Sequence, residues 1–171
     1  MWKTLGGDPI PDILRFVENT ANNGQAVHIG TDSLQVSRYS QFVTVLVILT
    51  PGKGGRVAYT REVVPRIKSL RARLFGEVWR SVGLGMQISG LVPGGLTVHV
   101  DANPQPQHKS SAYLQELVGL VVGQGFRVQI KPDAWAASHC ADHLVRTQGK
   151  LPVLHFGASS NGRTPRFERA R

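Results

Sequence analysis

Acids are scarce in this chain and cysteine is nearly absent. The single cysteine, Cys140, leaves no partner for a disulfide within the chain. No apolar run approaches the roughly 20 residues needed to span a bilayer. The longest, residues 42–49, is broken by Thr44. No basic-then-apolar segment opens the sequence, so a cytoplasmic location and no membrane partner are expected. With 41% hydrophobic and 18% charged residues, the composition excludes a disordered chain and suits one domain with a full core.

Only 11 acidic residues face 20 Lys and Arg, which leaves a net charge of +9. Such an excess suits a polyanionic partner, nucleic acid first, although solubility alone would also account for it. Arg61, Arg66, Lys68, Arg71, Arg73 and Arg80 crowd one segment. Lys150, Arg163, Arg166, Arg169 and Arg171 stand against Glu168 in the tail.

Periodicity and turn chemistry predict the elements in order. Residues 8–22 read as a helix, with Asp8 as cap and Ile10, Ile13, Leu14 and Val17 on one face. Asn22, Asn23 and Gly24 would end it. Strands follow at 26–32, 42–50 and 57–64, joined by short turns as an antiparallel meander. A helix over 67–88 then crosses to a fourth strand at 96–101. A helix begun by Ser110 or Ser111, a fifth strand at 126–130 and a last helix over 134–147 complete the body. The expected organisation is an N-terminal helix packed on the domain (1–24), a body (25–147) and a basic, partly flexible tail (148–171).

Because acids are few, each can be assigned. Asp8 and Asp12 suit a first helical turn, and Glu18, Glu62, Glu116 and Glu168 suit the surface. Glu77 differs: it falls inside the stripe of Leu70, Leu74, Ser81, Leu84 and Ile88. A carboxylate there must be paired, for instance with Arg73, or protonated or coordinated, unless the helix is turned so that it faces out. Asp32 and Asp101 each end a short strand containing a histidine, a position where an aspartate caps a turn or lines a site. The crossover makes their strands parallel if they pair, which would set both carboxylates at one edge. Asp142 borders an alanine-lined face of the last helix, and Asp133 opens that helix, where it serves equally as an N-cap. Asp133 would share a site with Asp142 only by acting from the loop.

Carboxylates converging from strands and helices repel one another, and bound cations relieve that repulsion. Hard oxygen ligands select Mg²⁺ or Mn²⁺, and two such ions can cleave a phosphodiester. His28 and His99 read as structural histidines, Cys140 as a small buried residue, and Trp79 and Trp135 as core.

Three stretches carry a resemblance: Ile29-Gly30-Thr31-Asp32-Ser33, Val98-His99-Val100-Asp101-Ala102-Asn103, and Lys131-Pro132-Asp133-Ala134-Trp135-Ala136-Ala137-Ser138. With the order of elements, they resemble the ribonuclease H-like superfamily and its YkuK-type bacterial branch, over residues 25–146. The resemblance implies an α/β fold with a five-stranded mixed sheet ordered 3-2-1-4-5, strand 2 antiparallel and helices on both faces. It also implies a two-ion Mg²⁺ or Mn²⁺ centre held by Asp32, Glu77, Asp101 and Asp142. Asp133 stands in the loop where ribonuclease H places a mobile histidine, a role His139 or His143 would otherwise fill. Arg66, Lys68, Arg71, Arg73 and Lys131 are the expected phosphate contacts. A nuclease acting on RNA, RNA–DNA hybrid or structured DNA is one expectation. A non-catalytic nucleic-acid or ribonucleoprotein binding module on the same fold is the other. A third, in which the acids are only caps, requires Glu77 to be exposed.

Overall fold

A computed structural model describes residues 1–21 and 24–146. Within it, alternation of apolar side chains on a central strand decides the layering. In β4 (Tyr39–Thr50), Phe42, Leu46 and Ile48 point to one side and Val43, Val45 and Val47 to the other, all buried. A strand apolar on both faces must be covered on both. β4 pairs antiparallel with β3 (Ala26–Val36) and with β5 (Gly54–Pro65). Leu46 and Ile48 join a core with α1 (Ile13–Thr20), α2 (Leu70–Ile88) and α3 (Leu114–Val122). Val43, Val45 and Val47 join a second core with Trp135, Ala136, Cys140 and Leu144.

β6 (Leu96–Val100) pairs parallel with β3, and β7 (Arg127–Ile130) parallel with β6. The five-strand order β5-β4-β3-β6-β7 matches the expected 3-2-1-4-5 arrangement. The sheet has seven strands rather than five, however. β1 (Trp2–Thr4) pairs with β5, and β2 (Pro9–Ile10) pairs with β1. Residues 8–10 therefore serve the sheet, and the first helix is shorter than the expected 8–22. Asp12, not Asp8, is its N-cap, accepting from the Leu14 and Arg15 amides at 2.9 and 3.2 Å. Asn22 and Asn23, expected to end it, lie outside the described residues, as do Thr147 and the tail 148–171.

The hairpin strands are longer than their apolar runs. β3 continues through Asp32 to Val36, because β4 offers a partner for every residue back to Tyr39. The turn is only Ser37-Arg38, with Ser37 at φ 49°. α2 starts at Leu70 rather than 67. Ser69 caps it through the Ala72 amide, while the Ile67 amide is held by Ser40 Oγ in extended chain. The expected last helix is π-helical over Ala136–Ala141 and continues as α4 (Asp142–Arg146). Trp79, expected in the core, is 51% exposed, since it lies off the α2 face that buries Glu77, Val78 and Ser81. Trp135 is buried as expected.

Gly30 fixes how closely the π-helix approaches the sheet. A Cβ at Gly30 would lie 2.4 Å from the Ala137 amide nitrogen and 2.6 Å from the Ala136 carbonyl carbon. Both are backbone atoms, so the π-helix itself would have to move. Gly30→Ala should cost ~1–3 kcal/mol in urea denaturation. An unchanged midpoint would mean that this contact does not hold in solution.

Candidate active site

A difference in strand length makes the site. The parallel register of β3 and β6 ends at Gly30 opposite His99, and β6 stops at Val100. β3 runs on to Val36, so among the described residues its edge beyond Gly30 has no strand beside it on that flank. Asp32 sits on this free edge and Asp101 immediately follows β6. Even-numbered residues of β3 face the π-helix, as Gly30 does, which puts Asp32 on the side of Asp142. Thr31 and Ser33 face α2, where Thr31 Oγ1 meets Ser81 Oγ at 2.8 Å and Ser33 Oγ donates to Glu77 Oε1 at 2.6 Å. The notch lets groups from both faces of the sheet approach one another.

Two of the acids, half-buried Asp32 and buried Glu77, have raised pKa. Asp32 is pushed up to about 7, first by burial, then by the charge of Asp101, with a smaller contribution from Asp142 through its charge and hydrogen bonding. Glu77 is 5% exposed and pushed up to about 8, first by burial and then by the charge of Asp32, with Asp101 adding a smaller effect. The Ser33 hydrogen bond and the Arg73 guanidinium oppose that rise. The outward-facing Glu77 required by a set of mere caps is therefore excluded. Asp32, Glu77, Asp101 and Asp142 thus feel one another electrostatically.

Protein cations already sit on three of them. Lys131 Nζ lies 2.9 Å from Asp101 Oδ1, Arg146 Nε lies 2.5 Å from Asp142 Oδ1, and Arg73 Nη1 lies 3.9 Å from Glu77 Oε1. The Lys131 contact is an ion pair without hydrogen-bond alignment, since Asp101 Oδ1 is buried and makes no hydrogen bond. Such an orphaned carboxylate oxygen beside two acids of raised pKa is a donor set suited to a hard divalent cation. Among the described residues, no three acidic or imidazole groups converge closely enough in their present rotamers to hold an ion. Arg73, Lys131 and Arg146 pair with three of the carboxylates, and an ion would have to compete with them.

The other expected site residues fall elsewhere. Asp133 is exposed at the β7–π-helix turn, where its amide donates to the Ile130 carbonyl at 2.8 Å. It is absent from the charges that act on Asp32 or Glu77. Of the basic residues, Arg73 and Lys131 lie at the acids, Arg66 and Lys68 are exposed before α2, and Arg71 pairs with Glu116 at 2.6 Å. Sequence reasoning missed Arg146, although its i,i+4 spacing from Asp142 was available. It also missed Ser33 as the donor to Glu77, a contact between elements that no local pattern reveals.

His28 and His99 pack as structural residues. His28 Nδ1 and His99 Nε2 share a hydrogen bond of 2.9 Å, and both rings pack on Trp135 at 4.9 Å between centroids. Burial pushes them down to about 4 and about 3 respectively, and Cys140 up to about 12. They lie beneath Asp101 and hold the π-helix that carries the chain to Asp142.

A family model described as "Ribonuclease H-like" matches residues 9–146. The chain belongs to this family. A relative in Bacillus subtilis (strain 168), named "Uncharacterized protein YkuK", is 26% identical over 154 residues, covering 81% of this chain and 90% of its own. No solved structure gives a significant match. The ribonuclease H-like fold supports a nuclease-related or nucleic-acid-binding role and generally uses Mg²⁺ or Mn²⁺. Among the described residues, no helix is long and apolar enough to cross a membrane.

Proposed function

We propose that this protein is a metal-dependent phosphodiesterase that hydrolyses nucleic acid, with Asp32, Glu77, Asp101 and Asp142 as the ligands of Mg²⁺ or Mn²⁺. The observation that carries this reading is that buried Glu77 and half-buried Asp32 are held with raised pKa beside a third carboxylate whose buried oxygen makes no hydrogen bond. Asp32 and Glu77 are held with pKa values near 7 and 8, and Asp101 Oδ1 has no hydrogen bond. Stability alone gives no reason to bury such a set, and perturbed acids in a cleft mark functional sites.

Bound ions would polarise the phosphodiester and activate an attacking water. The chain's own residues then have separable tasks. For all four carboxylates to hold the ions, Asp32 and Glu77 would have to release their protons to solvent. Ser33 fixes the orientation of Glu77 through the 2.6 Å hydrogen bond. Lys131 and Arg73, released from Asp101 and Glu77, become available to phosphate oxygens, and exposed Arg66 and Lys68 with Arg71 extend the track. Asp142 rather than Asp133 takes the fourth place, because Asp142 acts electrostatically on Asp32. Asp133 stays at the loop entrance.

The test is cleavage of labelled single strand, duplex and RNA–DNA hybrid with Mn²⁺ or Mg²⁺. Activity should fall to background in Asp32→Asn combined with Asp101→Asn. Cleavage that survives in the double variant belongs to a contaminant and removes this reading. A second reading, a binding module with a vestigial centre, is favoured by one feature: Lys131, Arg73 and Arg146 already stand on the acids. It expects binding that persists in EDTA, weakens steeply with salt, and is accompanied by no thermal stabilisation from Mn²⁺.

A further inference from the structure

Beside Asp101 lies an open pocket of about 450 Å³ whose lining does not match a plain phosphate track. That volume is in the range of small-ligand sites. Lys131 ties it to the centre, since it lines the pocket and also lies 2.9 Å from Asp101. Asn103 and Gln105 come from the loop after β6, and Ser138 and His139 from the π-helix before Asp142. The two segments that deliver acids to the centre thus also form the pocket walls.

The hydrogen bonds of the two amides define what they offer. Asn103 Oδ1 accepts from the Gln105 amide at 3.0 Å, and Gln105 Oε1 accepts from Gln107 Nε2 at 2.8 Å. Both oxygens are used locally, which leaves the two NH₂ groups as donors for a ligand. The Asn103 backbone is itself tied down, its amide donating to Ser110 Oγ at 3.1 Å. His139 is exposed, with Nδ1 3.0 Å from Ser138 Oγ, a contact that fixes the ring by its edge. A pocket with paired NH₂ donors, an aromatic ring plate and a lysine at its rim has the chemistry of a nucleotide site. Donors meet base acceptors, an imidazole face stacks a base, and an ammonium meets the phosphate.

We infer that this pocket takes one unpaired nucleobase of the strand bound at the acidic centre, so that the preferred substrate is single-stranded nucleic acid or a single-stranded end. The inference rests on the proposed function for its placement next to a reacting phosphate. A base engaged in a duplex has its Watson–Crick edge and both stacking faces already occupied. Lys131 contributes the phosphate contact that sets the base relative to Asp101.

Fluorescence anisotropy in EDTA tests the pocket without requiring catalysis. The probes are a labelled mixed-sequence single strand in RNA and DNA forms, the same strand in a duplex, and a strand with consecutive abasic residues. The intact single strand should bind at least about tenfold more tightly than the abasic strand, a typical stacking contribution of ~1–3 kcal/mol per base. Asn103→Ala with Gln105→Ala should erase that difference while leaving the thermal midpoint and the Mn²⁺ shift unchanged. His139→Ala should weaken single-strand binding, and His139→Phe should restore it. Equal binding of intact and abasic strands, or a double variant that leaves the preference intact, overturns the pocket whether or not the protein cleaves. Base-dependent binding by a protein that cleaves nothing keeps the pocket and removes the nuclease. Cleavage with no preference among strands keeps the nuclease and removes the pocket.

Discussion

Asp32→Asn should stabilise the metal-free protein at pH 8 while abolishing both metal binding and cleavage. Asp32 has a folded-state pKa of about 7 against a usual value of 3.8, and Glu77 about 8 against 4.5. Acids raised in this way stabilise the fold while protonated. Their contribution is fully present below the unfolded values and is lost as pH rises through about 7 and 8. At pH 8 the metal-free protein therefore holds charge that it would hold more cheaply unfolded. Replacing Asp32 with a neutral isostere should recover on the order of 1–3 kcal/mol in urea denaturation with EDTA. Adding Mn²⁺ at a hundredfold excess over its Kd should stabilise the native sequence by about 2.7 kcal/mol and leave the variant unmoved. A variant less stable than the native chain at pH 8 in EDTA would show that the Asp32 carboxylate is fully compensated as it stands.

The fold was legible where local chemistry and packing agreed. Short turns between the first three strands gave the antiparallel meander and a helix-length connection gave the crossover to the fourth, while the order 3-2-1-4-5 came with the family resemblance. Helical spacing put Glu77 inside the apolar stripe of a 19-residue helix but left open whether that stripe turns it inward, which the packing of α2 on the sheet decides. The N-terminal hairpin was not legible. β1 is three residues long and β2 two, too short for a period to show, and they exist because β5 offers an edge. The extension of β3 past Asp32 was hidden for a related reason: Leu34 to Val36 are strand only because residues 39–41 pair with them. That extension matters for the site. It turns a strand-end aspartate into a residue on an open edge, reachable from both faces of the sheet.

The sequence singled out the acids one by one, with the set of four supplied by the resemblance, but not their charge balance. Sequence reasoning placed Lys131 and Arg73 on a phosphate track, and offered Arg73 also as a partner for Glu77. In the structure they stand on Asp101 and Glu77, at 2.9 and 3.9 Å. Lysine and arginine side chains reach several ångströms from their backbone, so their partners are set by tertiary proximity rather than by spacing. Arg73 and Arg146, each four residues from the acid it meets, are the exceptions that a helical wheel contains. The pocket at Asn103, Gln105 and His139 had no signature, since two loops build it from ordinary polar residues.

Acid should unfold the protein through His28 and His99. Their folded-state values of about 4 and about 3 lie below the usual 6.5, because burial disfavours the imidazolium. A lowered value means that the unfolded chain binds the proton first. The stability these rings contribute is thus complete above pH 6.5 and is lost as pH falls toward 4 and then 3. The geometry agrees: the 2.9 Å bond between the rings needs a neutral acceptor nitrogen, and protonating both would set two cations against each other beside Trp135. Each pKa unit is worth about 1.4 kcal/mol, so protonating the pair removes several kcal/mol, a large share of the ~5–15 kcal/mol that holds a domain together. Asp32 and Glu77 act in the opposite sense, their contribution growing until pH falls to the unfolded values of 3.8 and 4.5 and fading as pH rises through about 7 and 8. They therefore offset much of the histidine loss, and the metal-free protein should be most stable at about pH 5–6, with the larger loss toward pH 8 and a shallower one below pH 5. NMR titration should show two imidazoles that stay neutral at pH 5. His28→Gln keeps a hydrogen-bonding group beside His99 without a second titrating ring, and its acid unfolding midpoint should move to lower pH. An acid limb that does not move in that variant would assign the acid lability to other groups.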